Sequence, residues 1–281
     1  MIRKPIVAGQ FYPSNPEVLK KTIKNYLESV KQDKNPEKIY GLVVPHAGYI
    51  FSGKAAAVTY QKIVNSKIDL FIIFGTNHSG LGNNFSVSLR DFETPLGIVK
   101  TDIEFAEQLI KKSYAENDEQ PHNYEHSIEV QLPFLQILSP KSKIIAIAVK
   151  NNDYNSYKKF ASDVADLIKE IKKKVCVIAS SDFTHYGYAY HYTPFTSKIK
   201  ENLYKLDEGA IKKILAFDAK GFLDYIEKTK TTICGFPGIA CCIEICKLLG
   251  SSKAEKLVYY TSGDVSHDYE NAVGYAGIVF K

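Results

Sequence analysis

The chain has no tryptophan, a single methionine and only five cysteines among its 281 residues. It also lacks any apolar run approaching the roughly 20 residues needed to span a bilayer. The opening segment, MIRKPIVAGQFYP, contains no apolar stretch of signal-peptide length, so a cytoplasmic location and no membrane partner are expected. The cysteines are not spaced as a disulfide framework. Cys241, Cys242 and Cys246 fall on one predicted helix and Cys176 in a predicted buried strand, where reduced thiols act as small apolar groups. Concentrated basic stripes are missing too. The formal net charge is +5, but the lysines are spread over several segments and read as solvated helix faces, which argues against a nucleic-acid partner. Linkers, low-complexity runs and solenoid repeats are not seen.

What is present is alternation. Apolar strand candidates lie at 40–45, 70–75, 143–149, 175–180, 256–261 and 273–280. Segments with apolar residues three and four apart, such as 53–64, 102–112, 127–138, 155–172 and 236–249, lie between them. Strands apolar almost throughout and separated by helices predict one α/β domain spanning 1–281, its central sheet mainly parallel with helices on both faces. The stretch 85–100 alternates differently and reads as a hairpin or antiparallel excursion, and 115–123 is the most loop-like.

Three strand candidates finish near a histidine: LVVPH at 42–46, DLFIIFGTNH at 69–78 and VCVIASSDFTH at 175–185. Ligands of an open α/β sheet bind outside the carboxyl ends of its strands. If these strands are parallel neighbours, His46, His78 and the Asp182/His185 pair converge on one crevice. Taken singly, each histidine reads more readily as a polar loop residue; a shared crevice explains all three together. Gathered neutral imidazoles suit a divalent transition metal. The anionic partner is either Asp182 or Cys234. Cys234, in TTICGFPG, stands at the predicted start of a helix, where the thiolate is favoured, although it could simply fill a tight turn. In YEHSIEVQLPFL, Glu125 and His126 occupy a helix N-terminal turn, and His126, free of metal, could act as a general acid/base. Glu129 reads as a cap or as a group orienting an imidazole. His122 and His191 receive no role, and His267 reads as a turn residue.

The segments RKPIVAGQFYP, VVPHAGYIFSG, FGTNHSG, TPLGIVKTD, EHSIEVQLPFLQ, SSDFTHYG, CGFPG and TSGDVS…VGYAGIVF together resemble the Memo family along nearly the whole chain. The resemblance implies a fold similar to the class III extradiol dioxygenases and a metal pocket of His46, His78 and Cys234, lined by Asp182 and His185. It also implies an association of archaeal and bacterial members with an AMMECR-type protein and a radical SAM protein. The dioxygenases complete their iron site with a carboxylate; a cysteine in its place shifts the preference toward copper or zinc as well as iron(II). Two functions stay open on this reading. One is a metal-dependent oxidoreductase of unknown substrate, with His126 or His185 moving protons beside Asp182. The other is a non-catalytic protein that binds metal, a small molecule or a peptide in a vestigial pocket.

Overall fold

The computed structural model describes residues 1–30 and 37–281. In chain order it runs β1 (Ile2–Arg3), α1 (Pro16–Glu28), β2 (Gly41–Val44), α2 (Tyr49–Tyr60), β3 (Leu70–Thr76), β4 (Phe85–Ser88), β5 (Asp91–Thr94), β6 (Gly97–Val99) and α3 (Ile103–Lys112). It continues with β7 (Glu116–Asn117), α4 (Ser127–Leu138), β8 (Lys143–Val149), α5 (Tyr154–Glu170), β9 (Val175–Ser180) and β10 (His185–Gly187). The remaining elements are α6 (Ile199–Leu215), α7 (Ala219–Thr229), α8 (Phe236–Leu248), β11 (Ala254–Thr261), α9 (Ser262–Ser266) and β12 (Asn271–Phe280).

The predicted α/β architecture is present. Strands β2, β9, β3 and β8 form a parallel centre, with Val43 opposite Ala179, and Phe74 opposite both Ala179 and Ile147. Antiparallel neighbours flank this centre: β12 on β2 at one side and β4 on β8 at the other, so the sheet as a whole is mixed. The flanks turn antiparallel because their connections lack a crossover helix: β11 reaches β12 through the five-residue α9. The stretch 85–100 divides accordingly. Strand β4 joins the main sheet, while β5 and β6 form a hairpin that pairs with β1 in a separate three-stranded sheet.

The central strands are buried on both sides, which explains their nearly unbroken apolar content. One face packs against α3, α5 and α8, with Phe74, Phe160 and Ile243 in its core. The other packs against α2 and α4, with α1 outside them, around Leu42, Phe71 and Phe134. Each such fully buried side chain contributes roughly 1.5–3 kcal/mol. Among the described residues no helix is long and apolar enough to cross a membrane.

Candidate metal centre

Because β2, β9 and β3 are parallel, their last residues, Val44, Ser180 and Thr76, share one edge of the sheet. His46, Asp182 and His78 each stand two positions beyond those ends. The apolar strands thus deliver three polar side chains to one crevice. Its remaining walls are the N-terminus of α4, which brings Glu125 and His126, and that of α8, which brings Cys234. The docking of α8 requires glycine at 235. A Cβ there would lie 2.5 Å from the Ser180 carbonyl oxygen and 2.6 Å from the Ser181 Cβ. Without one, the Gly235 N–H donates to Ser181 Oγ at 3.0 Å.

The gathering is tight. Ligand nitrogens of His46, His78 and His126 lie within 4.8 Å of one another, so these three residues could hold a metal ion. The His78 and His126 rings stack at 4.7 Å, and His46 stands edge-on to each at 5.4 Å. Cys234 Sγ is 3.2 Å from His46 Nε2 and 3.6 Å from the Asp182 carbonyl oxygen. Asp182 Oδ1 accepts the N–H of His46 at 2.8 Å and that of Ala47 at 3.3 Å, while Oδ2 lies 3.9 Å from His46 Nε2. The His185 ring lies 5.1 Å from Tyr190, within electrostatic reach of Cys234 and Asp182.

Hydrogen bonds at the backs of the rings settle which nitrogens face inward. His78 Nδ1 lies 3.0 Å from both carboxylate oxygens of Glu125, which also accepts the His78 backbone N–H at 3.0 Å. His185 Nδ1 lies 3.0 Å from the Thr232 carbonyl. A carboxylate and a carbonyl only accept, so each Nδ1 carries a proton, and Nε2 is the nitrogen whose lone pair a metal would take when it displaces any proton there. Such backing is the usual support of metal-bound imidazoles. The 3.2 Å from Cys234 Sγ to His46 Nε2 is near the spacing of tetrahedral donors, about 3.5 Å for bonds of about 2.0–2.1 Å to nitrogen and 2.3 Å to sulfur.

The electrostatics are those of a strongly coupled cluster. Burial opposes charge on the Cys234 thiol, but the charge and hydrogen bond of His46, with that of His78, hold it well below its ordinary range. Burial likewise opposes charge on His46, and Cys234 and Asp182 outweigh it, raising the imidazole to about 9. His78 is raised to about 10, because hydrogen bonds to Cys234 and Glu125 overcome its burial. Glu125 is itself held to about 2 despite burial, chiefly by its bond to His78. His126 moves the other way, to about 4, through burial and the repulsion of His46. Asp182 is raised by burial against the pull of His46.

His46, His78, His126, Asp182 and Cys234 therefore meet at this edge, with His185 in electrostatic reach of Cys234. His126 is nearer the centre than an acid/base role alone requires, since its ring nitrogen joins those of His46 and His78. Glu129 does not cap α4, whose N-cap residue His126 makes no side-chain cap bond. It binds the N-terminal segment instead, pairing with Arg3 and accepting from Val7 N at 3.1 Å and Tyr12 OH at 2.5 Å. Arg3 also donates to the Glu125 carbonyl at 2.5 Å, and Phe11 lies 4.8 Å from the His126 ring, so this segment buttresses one wall. His267 ends α9 as an exposed left-handed residue and stays a turn residue. Sequence reasoning missed Ser180, Gln131 and Tyr60 behind His46; the sole signal was polar residues interrupting apolar elements.

The fold and site define an α/β protein with a histidine-rich, thiol-bearing crevice at the carboxyl edge of its sheet, able to hold a metal ion. A family profile described as Memo-like protein matches residues 3–279, and the chain belongs to that family. A MEMO1 family protein of Pyrococcus abyssi is 40% identical over 291 residues, covering 100% of both chains. One from Methanosarcina acetivorans is 39% identical over 281 residues, covering 100% of this chain and 99% of its own. Among solved structures, an uncharacterized protein from Escherichia coli K12 superposes with a TM-score of 0.55 at 9% identity, covering 86% of this chain and 100% of that one; this likeness concerns the fold alone.

Proposed function

We propose that the protein is a metal-dependent redox protein whose ion is held by His46, His78 and Cys234, with His126 completing or bordering the ligand set. One observation carries the reading: three imidazoles share a 4.8 Å sphere, and a thiol lies 3.2 Å from one of them. The two nitrogens and one sulfur suit iron(II) or copper, with zinc as a redox-inert occupant. Such an ion would supply Lewis acidity and one-electron chemistry to a small molecule entering the crevice.

The chain supplies the rest. Glu125 holds the His78 ring and increases its basicity. Asp182, whose burial opposes its charge, stands beside Cys234 and holds the His46 backbone N–H through Oδ1. His185 presents an unprotonated Nε2 to the crevice because its Nδ1–H is committed to Thr232, so it can accept a proton from substrate. Tyr190 against the His185 ring, and Phe11 against His126, keep apolar surface next to the polar centre.

Purified protein loaded anaerobically with iron(II) or copper is expected to retain about one ion per chain and to consume oxygen with a subset of catechols or other small phenols. His78→Ala should abolish both. Retention of metal without oxygen consumption against any substrate would favour a metal-storing or sensing role. No retention at all would overturn the reading.

A further inference from the structure

Of the three imidazoles whose Nδ1 is backed, His46 alone relies on a neutral hydroxyl. Its Nδ1 lies 3.1 Å from Ser180 Oγ, a group that can donate or accept. Nε2 is the nitrogen that faces Cys234; the direction of the Nδ1 bond decides whether Nε2 can keep its lone pair, and the surrounding network decides the direction.

Three partners surround the hydroxyl at the buried end of β9: His46 Nδ1, Gln131 Nε2 and the Ser127 carbonyl. Ser180 Oγ lies 2.7 Å from the Ser127 carbonyl, which can only accept, so the single hydroxyl hydrogen is spent there. Gln131 Nε2 lies 2.8 Å from Ser180 Oγ and 3.0 Å from the Pro45 carbonyl. That carbonyl also only accepts, which fixes the amide with its nitrogen on this side. Tyr60 OH, donating to Gln131 Oε1 at 2.8 Å, holds the amide in the same sense. Gln131 thus fills one lone pair of Ser180 Oγ. The other is free, and His46 Nδ1 must fill it as a donor. Nε2, 3.2 Å from Cys234 Sγ, is then the nitrogen left to bind. Ser180, Gln131 and Tyr60 are all buried, so water does not offer a competing arrangement.

We infer that Ser180, supported by Gln131 and Tyr60, is a positioning residue that locks His46 in the Nδ1–H form and so selects its metal-facing nitrogen. The inference rests on the proposed metal reading. The network also ties the end of β2, the end of β9 and the first turns of α4 together. The same bonds that fix one ring therefore set the spacing between His46 and His126.

The test uses the whole chain loaded with zinc, which is diamagnetic. Affinity is measured by chelator competition, and the His46 ring nitrogens by long-range proton–nitrogen NMR. Three variants are compared: Ser180→Ala, and the isosteric pair Ser180→Thr and Ser180→Val, which differ only in the hydroxyl. Loss of a group that orients a metal-bound imidazole costs about 10–100-fold in affinity. Ser180→Ala and Ser180→Val are expected to weaken zinc binding by about that factor and to alter the His46 nitrogen pattern or remove its protected Nδ1–H. Ser180→Thr should keep both near the parent. Should Ser180→Ala not fold, the Thr/Val pair decides alone. Equal affinities and an unchanged His46 pattern in the Val variant would overturn this inference and leave the metal reading standing. A parent protein that binds no zinc at this site would overturn both.

Discussion

Cys234 precedes the first turn of α8, and Cys246 occupies its last turn. The helix lies across the sheet, so one thiol meets the carboxyl edge of the strands and the other the start of β2. Cys234 is partly exposed among His46, His78 and Asp182. Cys246 is fully buried, 3.9 Å from Cys242 Sγ, and a Cβ at Gly41 would come within 2.6 Å of its sulfur. Neighbouring imidazoles favour the thiolate at Cys234, whereas apolar burial pushes Cys246, Cys241 and Cys176 up. Burial opposes ionisation at both ends. The partners decide whether a thiol is held as a thiolate or kept as a piece of core.

The largest expected effect is on thiol accessibility. In the folded, metal-free protein a maleimide reagent should label Cys234, while Cys176, Cys241, Cys242 and Cys246 wait for unfolding. With opening free energies of at least about 5 kcal/mol, the two rates should differ by about a thousandfold or more. Comparable labelling of any core cysteine, located by peptide mass mapping, would erase the distinction.

Metal retention comes next. If Cys234 is a donor as proposed, Cys234→Ala removes a ligand rather than a support, and its affinity loss should exceed the roughly 10–100-fold of an orienting group. Chelator competition on Cys234→Ala beside Glu125→Gln checks the order. The glutamine still offers His78 Nδ1 an acceptor, so about a tenfold loss is expected there.

A pair of buried carboxylates extends the same lesson to pH. Glu125 has a cationic partner and is lowered from 4.5 to about 2, so its contribution is present above pH 4.5 and is lost as pH falls toward 2. Asp207 accepts from Thr184 and from Tyr259 OH at 2.5 Å, all neutral donors. Burial outweighs them and raises it from 3.8 to about 6. Its contribution is therefore full below pH 3.8 and is lost as pH rises through 6, on the order of 3 kcal/mol. Denaturant unfolding of Asp207→Asn across that window should lack this decline. An unchanged pH slope would show that Asp207 does not titrate there.

The smallest effect belongs to the core end of α8. Cys242→Ala should cost about 1 kcal/mol of stability, as loss of a small buried group, and leave metal content at the parental level. Loss of metal in that variant would mean that the two ends of the helix are not independent.

The sequence by itself determined the strands, the α/β class and the candidate residues. Unbroken apolar runs such as Leu70–Phe74 can only be buried on both faces, and a polar residue just past such a run must emerge at a sheet edge. Family motifs supplied Cys234, whose local sequence allowed a tight turn equally well. The tertiary structure decided the antiparallel flanks, which depend on connection lengths rather than strand content. It also decided that Glu125 rather than Glu129 backs an imidazole, because Arg3 arrives from 126 residues away to claim Glu129. Likewise it decided which nitrogen of His46 faces the thiol. The hydroxyl at the end of β9 that backs the ring meets His46, Gln131 and the Ser127 carbonyl, and no local pattern records contacts among segments that meet only in three dimensions.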